Sequence, residues 1–192
     1  VDELDTKTGT TPLFVAQRHG HIDVCRLLLE HKASVGDLPA GLPVMHASVV
    51  AGNDPIVRLL LINDAEPNGA CCTGEPLVYR AVTLDHHEVA ATLLRVGAGV
   101  GAIQARPTSK LSNQLLVRAV QVAAASASVR TLNLLLDYQA ELNCVDQFGR
   151  TPLVMGILLN CFESVAMLLR RGAKTTAVRS TAVHVLAPPA PP

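Results

Sequence analysis

Residues 11–33, TPLFVAQRHGHIDVCRLLLEHKA, decide how this 192-residue chain is read, because much of the remainder is built from altered copies of them. The stretch closes on Ala33, shortly after a Leu-Leu pair. The same arrangement recurs at Ala65, Ala98, Ala140 and Ala173, at spacings of 32, 33, 42 and 33. A fixed period of this size is the signature of a stacked repeat array and takes precedence over element-by-element reading.

Other columns keep the same register. Five and four residues before each alanine stand Leu28-Leu29, Leu60-Leu61, Leu93-Leu94, Leu135-Leu136 and Leu168-Leu169. Seventeen before stand Ala16, Ser48, Ala81, Ala123 and Gly156, small side chains suited to a close approach of two helices. Thirteen before stand Gly20, Gly52, Asp85, Ala127 and Asn160; all but Ala127 tolerate the positive φ that a tight turn between antiparallel helices demands. Each unit therefore reads as helix, turn, helix and a polar connection. Thr11 and Thr151 are expected N-caps, each followed by a proline whose missing N–H costs nothing there, and Pro76 partly repeats the pattern. On the second helix, Val24, Leu27 and Leu28 form an expected apolar stripe.

Composition agrees with a helical array. Hydrophobic residues make up 49% of the chain, aromatic residues 3%, and Trp is absent, so Leu, Val and Ala must fill the core. Sixteen basic and sixteen acidic residues balance, which gives no global reason to expect a polyanionic partner. Locally, Arg95, Arg106, Lys110, Arg118 and Arg130 lie in a span without acidic residues, but no stacking aromatics are interleaved and nucleic-acid binding is disfavoured. Five cysteines, Cys25, Cys71, Cys72, Cys144 and Cys161, and no signal-peptide pattern point to a reduced intracellular setting, the cytoplasm first. Charged residues interrupt every Leu cluster, so no membrane insertion is expected. The chain starts on Val1 and its first unit lacks a polar cap, which suggests an excised piece of a longer array.

These residues resemble the ankyrin repeat. Thr11-Pro12-Leu13 with Ala16, and Thr151-Pro152-Leu153, match its T-P-L-H-x-A opening; Gly20-His21, Leu27-Leu28-Leu29 and Lys32-Ala33 match its G-H turn, Leu run and closing alanine. The resemblance implies an all-α solenoid, an ankyrin-repeat array of helix-turn-helix units with short β-hairpin-like connecting loops. The expected repeats are about 5–35, 36–68, 69–100, 101–143 and 144–176, with an insertion near 99–114. A partial repeat or cap follows at 177–187, carried by Thr181, His184 and Leu186, and then a Pro-rich tail at 188–192. The pattern is worn in places: Pro76-Leu77 and Arg118-Ala119 stand where Thr-Pro is expected. The motif histidine survives as His46.

Three groups suggest chemistry on composition alone. Arg18-His19-Gly20 matches the triplet of histidine phosphatases, but a turn between helices accounts for it. Cys71-Cys72 and His86-His87 fall at opposite ends of one first helix, too far apart to share a metal. His21 and Cys25, four residues apart, could share a helical face near an N-terminus that lowers a thiol pKa, yet no orienting acid or oxyanion site accompanies them. No catalytic residue, cofactor or metal is assigned.

The resemblance implies a non-catalytic module that binds another protein or peptide on its concave surface, through connection tips and exposed first-helix positions. Transferred to this sequence, those positions are Lys7, Thr8, Thr10, Arg18 and His19; Pro39, Ala40, Leu42, Val50 and Ala51; Cys72, Thr73, Glu75, Thr83 and Leu84; and Gln147, Phe148, Arg150, Leu158 and Leu159. Leu42, Val50, Leu84, Phe148, Leu158 and Leu159 would make much of that surface apolar, a groove for a peptide with apolar anchors. The alternative is an adaptor array of a larger enzyme or ubiquitin-ligase complex whose activity lies outside this stretch.

Overall fold

The computed structural model describes residues 2–5, 9–36, 44–67, 76–97, 129–138, 140–146 and 148–175. The insertion, the helix expected beyond it, the partial sixth repeat and the tail lie outside them. The chain divides into two compact units, Val1–Gly101 and Ala102–Pro192. Among the described residues the first contains α1 (Pro12–Arg18), α2 (Ile22–Glu30), α3 (Val44–Val50), α4 (Asp54–Ile62), α5 (Leu77–Thr83) and α6 (His87–Arg95). The second contains α7 (Arg130–Asp137), α8 (Pro152–Leu158) and α9 (Phe162–Arg170).

Helix starts follow the capping chemistry. Thr11 Oγ1 accepts a hydrogen bond from Phe14 N–H at 3.3 Å, and Thr151 Oγ1 accepts from Val154 N–H at 3.3 Å, each with proline at the first helical position. Asn53 does the same for α4, accepting from Ile56 N–H at 3.3 Å. Pro76 itself occupies the N-cap of α5 and offers no side-chain bond.

Helix ends follow one scheme throughout. Gly20, Gly52, Asp85 and Asn160 have φ of 73°, 69°, 57° and 53°, which explains the turn column. The next N–H reaches back to the small-residue column: His21 to Ala16 O, Asn53 to Ser48 O, His86 to Ala81 O and Cys161 to Gly156 O, at 2.8–3.1 Å. Second helices close the same way. Lys32, Asp64, Gly97 and Gly172 have positive φ, and Ala33, Ala65, Ala140 and Ala173 donate to the first leucine of their pair at 2.9–3.1 Å. This is the Schellman closure, in which an apolar residue follows the left-handed one and packs on the last turn. The alanine column, buried at all four of those positions, is thus part of the cap.

Within the first unit α1 packs on α2 and α3, α3 on α4 and α5, α5 on α6, and α4 on both α2 and α6, so three helix pairs stack in series. In the second unit α8 packs on α9. Leu13, Ile56, Leu60, Leu93 and Leu94 fill the first core, and Leu132, Leu135, Leu153 and Leu168 the second. The expected stripe on α2 is corrected: Cys25 and Leu29 are buried, whereas Val24 and Leu27 are exposed and Leu28 is half-buried. Cys25 and Leu29 lie one turn apart on the buried side, and Val24 and Leu28 line an open groove with Pro12 and Val15.

Candidate partner-binding surface

Each first helix is short and buries one face. Leu13, Ala16 and Gln17 of α1, Met45, Ser48 and Val49 of α3, and Val78, Ala81 and Val82 of α5 point inward at i, i+3 and i+4. The final residue and its successor then swing outward into the turn. Arg18 and His19, Val50 and Ala51, and Leu84 are exposed, while Thr83 is half-buried and spends its hydroxyl on Arg80 O at 2.8 Å. Because α1, α3 and α5 are consecutive neighbours, these residues stand side by side, polar on α1 and apolar on α3 and α5. The rings of His19 and His21 stack with centroids 5.8 Å apart. Thr10 is half-buried in the connection, its carbonyl accepting from Asp5 N–H at 3.0 Å.

In the second unit Leu158 and Leu159 end α8 in the same exposed way. The connection before it is a braced turn. Asp146 Oδ1 accepts from Phe148 N–H at 2.8 Å and Arg150 N–H at 2.9 Å, and Asp146 Oδ2 accepts from Arg150 Nε at 2.8 Å. The guanidinium then lies 4.5 Å from the centroid of the Phe148 ring, which is 67% exposed. Burial works to raise the Asp146 pKa, but the Arg150 side chain, the two N–H donors and the guanidinium charge together outweigh it and hold the carboxyl below its ordinary value. An aromatic ring in water is thereby fixed in place, which lowers the entropy a contact would cost. Nothing in the repeat pattern marked Asp146; the local signal was an Asp two residues before Phe148 and four before Arg150, the spacing of an Asx turn.

Lys7, Thr8, Pro39, Ala40, Leu42, Cys72, Thr73, Glu75 and Gln147 lie outside the described residues. The remaining candidates form two sets, Thr10, Arg18, His19, Val50, Ala51, Thr83 and Leu84 on the first unit, and Phe148, Arg150, Leu158 and Leu159 on the second.

The groups that suggested chemistry sit in structural roles. His19 is the C-cap of α1 and Gly20 its left-handed turn, so Arg18-His19-Gly20 is not presented by a strand. His21 is exposed and Cys25 fully buried; burial raises the Cys25 pKa despite a backbone hydrogen bond, the reverse of an activated thiol. Burial, with Glu141 nearby, pushes the Cys144 thiol up to about 12. Among the described residues no three His, Cys, Asp or Glu side chains gather where a metal could sit, and no helix is long and apolar enough to cross a membrane.

Stacked helix pairs, each closed by left-handed turns at both ends, define a helical repeat solenoid. Residues 1–70 match the family model described as ankyrin repeats (3 copies). A stretch of 145 residues is 29% identical to the transient receptor potential cation channel subfamily A member 1 of Homo sapiens, covering 73% of this chain. The same stretch spans only 12% of the length of that relative.

Proposed function

We propose that this chain is a non-catalytic protein-interaction module that takes a partner protein or peptide on the face built from first-helix ends and connection tips, the concave side of the array. The observation that supports it is the exposed apolar set at those ends: Val50 and Leu84 on the first unit, and Leu158, Leu159 and the braced Phe148 on the second. Exposed apolar side chains at equivalent helix ends, on each unit taken by itself, favour an interaction site, and a rigid aromatic is a favoured anchor. We place the array at five repeats with a partial sixth, in the cytoplasm, and assign it no catalytic residue, cofactor or metal. The likeness to a short part of a much longer channel favours an array working within a larger polypeptide, and ion conduction is not carried over with it.

The test is affinity for the partner this chain captures, measured with Leu84→Glu and Leu158→Glu. Each is expected to weaken binding at least about tenfold, the loss of about 1.4 kcal/mol, with helicity unchanged. Undiminished affinity in both folded variants overturns the reading.

A further inference from the structure

The last residue of a second helix is charged and exposed in four of the five repeat units, as Glu30, Arg95, Asp137 and Arg170. The exception is Ile62, which ends α4 and is 79% exposed. The position after it carries His31, Asn63, Tyr138 and Arg171, and there the exception is Val96, just beyond α6 and 49% exposed. The two exceptions fall on neighbouring helices, because α4 packs on α6. Together with Arg58, Leu61, Thr92 and Arg95 they line an open groove of about 260 Å³. Its lining comes from second helices, whereas the partner-binding face is built from first-helix ends and connection tips.

The polar side of the groove is set in advance. Asp54 Oδ1 accepts from Thr92 Oγ1 at 2.5 Å, and Asp54 Oδ2 accepts from Arg58 Nε at 2.6 Å. One carboxylate thus ties α4 to α6 and orients the Arg58 guanidinium, whose two Nη groups remain as donors. Arg95 lines the groove from α6 and has no ion-pair partner among the described residues, and the lining itself contains no carboxylate. An oriented guanidinium makes a directed, charge-assisted bond to a carboxylate at a reduced entropic cost. Arg95 supplies the charge that Asp54 does not offset.

We propose that this groove takes an acidic amphipathic segment of another protein, its apolar side chains on Leu61, Ile62 and Val96 and its carboxylates on Arg58 and Arg95. The volume lies below the ~300–1,000 Å³ of small-molecule sites, which favours a segment laid on the surface over an enclosed ligand. A second copy docked through the same groove about a two-fold axis would set guanidinium against guanidinium. An anionic bilayer would also press on Asp64 and Glu66, both exposed just beyond Ile62, which a narrow segment need not meet. This surface is separate from the first-helix face and stands whether or not that face binds a partner.

The experiment measures binding of fluorescein-labelled peptides to the full chain by anisotropy. One probe repeats Glu-Glu-Leu-Leu and the other Lys-Lys-Leu-Leu. The Glu probe is expected to bind at least about tenfold more tightly than the Lys probe, and more weakly as salt rises. Ile62→Glu and Arg95→Glu each introduce the residue that Glu30 already supplies in that column. Each is expected to lower affinity for the Glu probe about tenfold or more with helicity unchanged. Leu27→Glu, at an exposed apolar position of α2 outside the groove, is expected to leave that affinity unchanged. Absence of Glu-probe binding, equal binding of the two probes, undiminished affinity in both folded groove variants, or an equal loss with Leu27→Glu overturns the proposal. Self-association that sedimentation detects and Ile62→Glu abolishes overturns it in favour of a second copy. Cosedimentation with phosphatidylserine vesicles that Ile62→Glu abolishes, without binding of the Glu probe, overturns it in favour of a bilayer.

Discussion

Replacing Gly52 by alanine tests how neighbouring turns interlock. Gly52 has φ of 69°, and a Cβ built on it would lie 2.7 Å from the ring of His86, the residue that follows the equivalent turn in the next repeat. The ring cannot withdraw freely, because His86 Nε2 donates to Val50 O at 3.1 Å. Two costs follow. An L-residue in the left-handed region costs about 1–2 kcal/mol, and loss of the His86 hydrogen bond adds about 0.5–1.5 kcal/mol. The sum is about 1.5–3.5 kcal/mol. Gly20→Ala is the matched control: its φ is 73°, but the nearest atom, Asn53 Nδ2, is 3.7 Å from the new Cβ, so only the first cost applies. Urea denaturation of Gly52→Ala, Gly20→Ala, His86→Ala and the Gly52→Ala/His86→Ala pair gives both the difference and the coupling energy. The coupling is expected near 1 kcal/mol. If the two glycine variants are equally destabilised and the coupling is indistinguishable from zero, the ring is not lodged on the turn.

Three further outcomes follow from individual residues. Gln17 is buried where Val49 and Val82 stand in the next two repeats, and its Oε1 has no hydrogen-bond partner among the described residues, so Gln17→Leu is expected to raise stability by about 1 kcal/mol in denaturant, and a loss of stability would show the amide is satisfied. Lys32 occupies the left-handed closing position that Gly97 and Gly172 fill elsewhere; Lys32→Gly should stabilise by about 1 kcal/mol, read as a rise in urea midpoint at constant slope, and no rise refutes the strain. Asp146 has a depressed folded pKa, so its contribution is fully present above its unfolded value of about 3.9 and disappears as pH falls through the lower folded value. Asp146→Asn should remove that part of the acid limb of a stability–pH curve, and an unchanged limb would show that the turn contributes nothing there.

What the sequence disclosed depended on how narrow each physical demand was. Gly20, Gly52, Asp85 and Asn160 were readable as turns because few residues accept positive φ. The second left-handed column was not, since Lys32 carries no such mark and is held there by the Schellman bonds on either side of it. Val24, Leu27 and Leu28 misled because α2 is apolar on more than one side, and period alone cannot say which side meets a neighbour. For the candidate surface, register placed Val50, Leu84, Leu158 and Leu159 at helix ends, where they are exposed. The bracing of Phe148 by Asp146 and Arg150 is a tertiary arrangement within a turn, which no column of the repeat encodes.

First helices in the described pairs have seven residues and second helices nine, about two turns each. At that length backbone hydrogen bonding does not sustain a helix alone, and each pair is held chiefly by the pair beside it. Order in such a chain is borrowed from neighbours. A contact that clamps the turns of adjacent repeats therefore tightens the helices behind them, and a partner spanning several tips would be felt as slower opening of cores it never touches.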